Sequence, residues 1–409
     1  MTENQKLLDG IKIIELSHIM AAPTCGQLLA DMGAEVVKVE RLPKGDDTRR
    51  FGRSEDGDSA AFAMMNRNKS GLGLNLKTEK GKSTLRTLID KSDVFIENYR
   101  MGAMEHYGVG WENVRESNPR LIYCSISGFG RTGPYSDRGG FDLITQAMSG
   151  IMSITGEGPG RPPVKVGAPI TDITAGILAA LGICGAIIQR HRTGKGQYVD
   201  TSLYEAGIFH TFWQTAIFGD TGEVSQAMGS AHPLAAPYQA FKTSDSWLVV
   251  GAANQSTWLK FVEAIGSNEL ANDDRFSEPA SRMENLDTLV EILNTLLSKR
   301  TTSEWMELLD SHGVPAGPVY DIEEMVNDPH TKARNMVTNI SSATGKNFSV
   351  MGHPVKYSSA STAITQSAPL IGQDSREILT RFNFTSDEID SLVSEGVISD
   401  KRINVEAAE

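Results

Sequence analysis

Cysteine is scarce in this chain: Cys25, Cys124 and Cys184 are its only three, far apart and without a CxxC pair. Each lies in an apolar stretch where a reduced thiol packs as a small hydrophobe, which argues against a disulfide framework and against a zinc site. Nucleotide loops are missing too. No GxxxxGK[ST] occurs, and the first strand-to-helix turn, Ser17 to Gln27, has no GxGxxG, which speaks against an ATPase and a dinucleotide dehydrogenase. The glycine-rich GEGPG, Gly156 to Gly160, contains Pro159 and does not run from a strand into a helix, so it reads as a surface loop. No internal repeat or low-complexity tract is present. The formal charge is −12, so the overall balance draws the protein neither to nucleic acid nor to an anionic membrane. MTENQKLLDG at the start has the character of neither a secretory signal nor a transit peptide, and a cytoplasmic address is expected.

What remains is ordinary globular composition, 40% apolar and 22% charged over 409 residues, enough for two domains or one large one. The apolar run Ile173 to Gln189 is at or just under membrane-spanning length and reads as a buried core helix. IKIIEL (Ile11 to Leu16), a short helix over Pro23 to Met32 and EVVKVE (Glu35 to Glu40) form a βαβ unit. Alternation continues with a helix over Thr78 to Ser92, a strand at Val94 to Asn98, a helix near Trp111 to Ser117 and a strand at Leu121 to Ser127. Then come the long helix from Thr171 to about Arg192 and a strand at Gln197 to Leu203. Right-handed crossovers turn this order into a doubly wound, mostly parallel open α/β sheet. Two strands within Tyr238 to Ala252 and helices at Thr257 to Ile265, Asn285 to Lys299 and Thr302 to His312 read as a smaller α+β domain. A strand-like segment at Asn347 to Ser358 and a helix near Ser375 to Phe382 lead back to the first domain. The expected division is 1–222 for the first part of the large domain, 223–330 for the small domain and 331–409 for the return segment.

Two features suggest chemistry. Lys38, Arg41, Lys44, Arg49, Arg50 and Arg53, followed by Arg67, Lys69 and Lys77, make a local positive excess where open α/β sheets bind ligands. They are either solvated surface or the partners of a phosphorylated cofactor. Asp172 lies at the start of the long helix, either as a plain cap or as a carboxylate whose ionised form the helix N-terminus favours. Gly176, Ala180 and Cys184, spaced by four, make one face narrow enough for another backbone to approach.

Along nearly its whole length the chain resembles the family III (CaiB/BaiF) CoA-transferases. The resemblance rests on LLDGIKIIELSHIMAAPTCGQLLADMGAEVVKVERLPKGDDTR, NRNKSGLGLNLKTEKG, DVFIENYRMGAMEHYGVG, DRGGFDLITQAMSGIMSITGE, GAPITDITAGILAALGI, HRTGKGQYVDTSLYEA, YQAFKTSDSWLVVGA, HGVPAGPV and APLIGQ. The likeness is greatest to members that move CoA from succinyl-CoA to dicarboxylic acids such as glutarate. It implies that Asp172 is a nucleophile passing CoA from an acyl-CoA donor to a carboxylic acid acceptor through aspartyl anhydride and aspartyl-CoA thioester intermediates. Coenzyme A is then a co-substrate, and no tightly bound cofactor or metal is implied. By the same resemblance the CoA contacts come from His18, Met20, Ala21, Arg41, Leu74, Lys77, Asn98, Tyr99, Arg100, His106 and Arg138. His232, Arg67 and Arg100 are candidates for an acceptor's distal carboxylate. A homodimer of interlocked subunits is implied as well. The glycine-rich lid of formyl-CoA transferases is not matched; GSAHP, Gly229 to Pro233, stands in its neighbourhood.

The α-methylacyl-CoA racemases of the same family use a His in a GHD motif, where this chain has Gly140, Phe141 and Asp142, and Asn254 stands about where they place a Glu. A phenylalanine ring carries no proton, so racemization or epimerization is the weaker enzymatic reading. A CoA-ester binding protein without turnover is the rival from another class.

Overall fold

The computed structural model describes residues 6–51, 59–342 and 344–400. Six parallel strands form the main sheet: β1 (Lys12–Leu16), β2 (Glu35–Arg41), β3 (Ser70–Leu74), β4 (Val94–Glu97), β5 (Ile122–Ser127) and β6 (Gln197–Ser202). Both faces of such strands must be covered, which is why they carry so few exposed positions. Their spatial order is β3-β2-β1-β4-β5-β6, with every pairing parallel. The order reverses between β1 and β4, and the carboxyl ends of these two strands therefore open the crevice where such sheets take ligands.

One face is covered by the helix Ala21–Asp31 and the 24-residue helix Ile170–Thr193. Gly176 lets them meet, since a Cβ there would stand 2.6 Å from the Ala21 carbonyl oxygen and 2.9 Å from Thr24 Cβ. The long helix is apolar and long enough to cross a membrane. Its Ala175, Ala179, Ile183, Ala186 and Ile187 are buried in the sheet core, while Ile177, Leu181 and Ile188 are exposed on another side. The other face of the sheet packs on the helix Glu79–Asp90 and on the C-terminal helices Ser375–Arg381 and Ser386–Ser394, through Leu85, Ile378, Leu379 and Leu392.

The sequence reading does not mark β3 as a strand, because SGLGL is depleted in the branched residues that signal one. Its glycines are required by what lies on top of it. A Cβ at Gly71 would stand 2.8 Å from the Leu370 carbonyl oxygen, and one at Gly73 would stand 2.8 Å from Leu42 Cδ2. The chain divides into two compact units, one of Met1–Ile151, Val166–Thr211 and His330–Glu409, the other of Met152–Lys165 and Phe212–Pro329. Residues 152–165 and 212–222, expected with the large domain, thus pack with the second unit. That unit holds a three-stranded antiparallel sheet of β7 (Tyr238–Lys242), β8 (Trp247–Gly251) and β9 (Ala316–Pro318). The helices Gln255–Ala264, Leu286–Leu297 and Thr302–Ser311 close a core that includes Phe241, Trp258, Phe261, Leu293 and Trp305.

Candidate active site

At the crevice the chain leaves β1 through residues 17–20, and these are held by side chains that follow the neighbouring strands β2 and β4. Asn98, just past β4, clamps His18 from both sides: its Oδ1 accepts the His18 N–H at 3.0 Å and its Nδ2 donates to the His18 carbonyl at 2.8 Å. Ile19 has φ 63°. A β-branched residue in the left-handed region costs on the order of 1–2 kcal/mol, and such strain concentrates at functional sites. Its N–H donates to Asp46 Oδ1 at 3.1 Å. The His18 ring meets the edge of Tyr99 with centroids 5.0 Å apart. Burial lowers the His18 pKa, so the ring is neutral at pH 7, and its buried Nδ1 has no hydrogen-bond partner among the described residues.

Beneath this turn lies a buried charge network. Lys38 Nζ sits 3.0 Å from Asp46 Oδ2 and 3.2 Å from Glu15 Oε1, and Lys69 Nζ sits 2.8 Å from Glu15 Oε2. Burial alone would raise the Asp46 carboxyl, but the Lys38 ammonium and the Thr48 N–H hold it down at about 2. Burial brings Lys69 down to about 8 against the pull of Glu15.

Four of the nine bases in the positive excess read from the sequence are therefore spent inside the fold. Lys38 and Lys69 belong to this network, Arg49 binds Glu40 at 2.6 Å and Arg67 binds Asp31 at 2.8 Å. Arg67 is 2% exposed, so its expected role toward an acceptor's carboxylate is withdrawn. Arg41 and Arg50 share Asp47 at the surface. Arg53 lies outside the described residues. Leu74 is fully buried, with its carbonyl taken by the Leu42 N–H at 3.2 Å, and Ala21 is buried against Gly176; neither offers a side chain to a ligand. Met20 is half-buried, while Lys77, Arg100 and His106 are exposed. No ion pair holds Lys77 or Arg100 among the described residues. The Arg138 guanidinium lies over Tyr135 at 4.8 Å and Phe129 at 5.4 Å.

Asp172 stands in the first turn of the long helix, which begins at Ile170 after Pro169, so it is not the cap. That work falls to Asp142, whose Oδ1 accepts the Thr171 N–H at 3.0 Å and the Thr171 hydroxyl at 2.8 Å. Gln146 Nε2 donates to the other Asp142 oxygen at 2.7 Å. Asp172 itself is half-buried, and no cation or hydrogen-bond donor reaches its carboxylate among the described residues. Burial, and then the negative charge of Asp142, raise its pKa to about 7. The expectation that the helix end favours its ionised form is not met: burial and then the Asp142 charge raise the carboxyl, and the Thr171 N–H beside it is already used by Asp142.

In the second unit His232 has a fixed ring. Nδ1 accepts the Leu234 N–H at 3.1 Å, which leaves Nε2 as the donor, and the ring stacks on Tyr238 at 5.2 Å with Trp213 at its edge. Asn254 caps the helix Gln255–Ala264, its Oδ1 accepting the Thr257 N–H at 2.9 Å. Asp46 and the capping role of Asp142 escape sequence reasoning, because each depends on a partner 27 or 29 residues away. The only local sign of Asp46 is an acidic pair, Asp46 and Asp47, set among bases.

Comparison with known proteins assigns the chain to a family. The family model described as CoA-transferase family III matches residues 8–375, and the chain belongs to that family. The succinyl-CoA:glutarate CoA-transferase of Mus musculus is 35% identical over 97% of this chain and 91% of its own length. The succinyl-CoA--D-citramalate CoA-transferase of Chloroflexus aurantiacus is 36% identical over 96% of this chain and 98% of its own. The crystal structure of a CAIB/BAIF family protein from Brucella suis, 36% identical, superposes with a TM-score of 0.82 over 93% of this chain and 100% of that one. The protein is thus a CoA-transferase, an enzyme class that takes CoA thioesters as co-substrates. A racemase is not favoured: Phe141 is 62% exposed with no proton to give, Asp142 is committed to Thr171 and Gln146, and Asn254 is a helix cap.

Proposed function

We propose that the enzyme moves CoA from a donor such as succinyl-CoA to a mono- or dicarboxylic acid, with Asp172 as covalent nucleophile. The observation that carries this reading is the state of Asp172: a half-buried carboxyl raised to about 7 with no cation beside it. Such a group is not held in a salt bridge, and its pKa near neutrality leaves a large ionised fraction with enhanced basicity. Its carboxylate attacks the donor carbonyl and expels CoA thiolate, leaving an acyl-aspartyl anhydride. The thiolate attacks the aspartyl carbonyl, releasing the donor acid and forming an aspartyl-CoA thioester. The acceptor carboxylate attacks that thioester, and the freed thiolate takes the acceptor's acyl group from the second anhydride, restoring Asp172. One thioester replaces another, so no ATP is consumed.

CoA is placed along residues 18–20 and Tyr99, with Arg41, Lys77, Arg100, His106 and Arg138 toward its phosphates. His232, whose Nε2 is left to donate, is proposed to meet the acceptor's distal carboxylate. A homodimer is proposed as well, supported by the exposed Ile177, Leu181 and Ile188, which lie four and seven residues apart on the long helix. Three free cysteines suit a reducing compartment, and the cytoplasm is the proposed location. The test is a panel of donor and acceptor pairs followed by mass spectrometry. The proposal expects CoA esters of the acceptors to form only when both donor and acceptor are supplied. Deuterium uptake at the α carbon of a chiral acyl-CoA without any acceptor would instead mark an epimerase.

A further inference from the structure

We infer that Asp46, backed by Lys38, is the positioning residue that holds residues 18–21 in the shape that receives the CoA ester. The inference rests on the proposed placing of CoA at that turn.

Strand pairing of β1 ends at Leu16 and the next helix begins at Ala21. The four residues between need no unusual backbone merely to connect them, yet Ile19 is left-handed at φ 63°. A residue of this shape has to be restrained from outside, because its own side chain opposes the conformation. Asp46 supplies the restraint. Its Oδ1 accepts the Ile19 N–H at 3.1 Å together with the Thr48 N–H at 2.9 Å and the Thr48 hydroxyl at 2.8 Å. Its Oδ2 accepts from Lys38 Nζ at 3.0 Å. Lys38 reaches the same turn a second way, donating to the Ser17 carbonyl at 2.9 Å and the Ser17 hydroxyl at 3.0 Å. Asp46 is itself pinned, its N–H donating to Glu40 Oε2 at 2.9 Å, and it is only 2% exposed. Beyond the turn, in the first turn of the helix Ala21–Asp31, Lys69 donates to the Pro23 carbonyl at 2.9 Å, so the helix that follows is held from the same buried network. A turn ordered before the ligand arrives loses less freedom on binding, which is how a side chain that need not touch CoA raises affinity for it.

Calorimetric titration with CoA, run on the full chain as wild type, Asp46→Asn, Ile19→Gly and the double variant, tests this. Asp46→Asn places an amide N–H₂ or a weaker acceptor against Lys38 and is expected to weaken CoA binding about tenfold, the cost of one poorly made hydrogen bond. Glycine adopts positive φ without strain and needs no restraint, so the double variant is expected to recover about threefold or more of that loss. A purely structural role for Asp46 gives no such recovery. A folded Asp46→Asn protein that binds CoA as well as wild type overturns the inference, and so does a loss that Ile19→Gly leaves unchanged. Wild type that binds no CoA overturns the placing of CoA as well, which separates the two failures. Should Asp46→Asn not fold, amide hydrogen exchange of the wild-type segment 17–22 decides the matter. Protection present before CoA is added supports a held turn, and free exchange that slows only with CoA overturns it.

Discussion

Asp46 and Asp172 are both drawn out of water, and burial by itself pushes both carboxyls up. They end far apart: at Asp46 the Lys38 ammonium overcomes burial and holds the carboxyl near 2, while at Asp172 burial goes unopposed and the Asp142 charge adds to it, so the carboxyl stands near 7. Burial alone does not decide what an aspartate does; whether a cation answers its charge does. A paired carboxylate becomes scaffold, while an unpaired one beside a like charge keeps a reactive lone pair close to neutrality.

Exchanging the two fates should break the chemistry first. Asp172→Ala is expected to lower the CoA-transfer rate more than about a thousandfold, over 4 kcal/mol of transition-state stabilisation, while CoA binds nearly as before. Comparison of kcat/KM with direct CoA titration checks it. On the scaffold side, Lys38→Met leaves Asp46 and Glu15 buried without their shared cation and should cost roughly 3–5 kcal/mol of folding stability, read by urea denaturation.

The opposed shifts also give opposed pH dependences. Asp46 is depressed, so its stabilisation is complete above about pH 4 and is lost as pH falls toward 2. Asp172 is raised, so it favours the folded state below about pH 4, and that contribution is lost as pH climbs through 7. Asp172→Asn should therefore match the parent's stability at pH 4 and exceed it by roughly 2 kcal/mol at pH 8, a figure discounted for the partial exposure of the group. Catalysis needs the ionised form, so kcat/KM of the parent should rise as pH increases through about 7. In Asp142→Asn the midpoint of that rise should move to lower pH. The smallest effect expected is at the helix contact: Gly176→Ala pushes a methyl against the Ala21 carbonyl and Thr24 and should cost on the order of 1 kcal/mol, visible as a lower Tm.

Much of the sheet was legible in the sequence because its strands are short apolar runs with both faces covered. β1, β2, β4, β5 and β6 were each read within a residue or two of their observed ends. β3 was not, since its glycines answer to the chain passing over it at Leu370 rather than to any local preference. The site divides in the same manner. Asp172 is marked by its place on a long apolar helix and by the family resemblance, yet its protonation is not, since that depends on burial and then on Asp142, neither of which local pattern shows. The basic cluster misled for a related reason: a run of lysines and arginines looks the same whether it faces solvent or, like Arg67 on Asp31, closes buried ion pairs.

Whether Asp172 carries CoA during turnover decides the mechanism. Incubating the enzyme with succinyl-CoA, trapping with hydroxylamine or borohydride and mapping the product by peptide mass spectrometry tests this directly. A hydroxamate or reduced side chain at residue 172, absent from Asp172→Ala, is the predicted result. Turnover of succinyl-CoA and an acceptor acid with residue 172 never modified would contradict it.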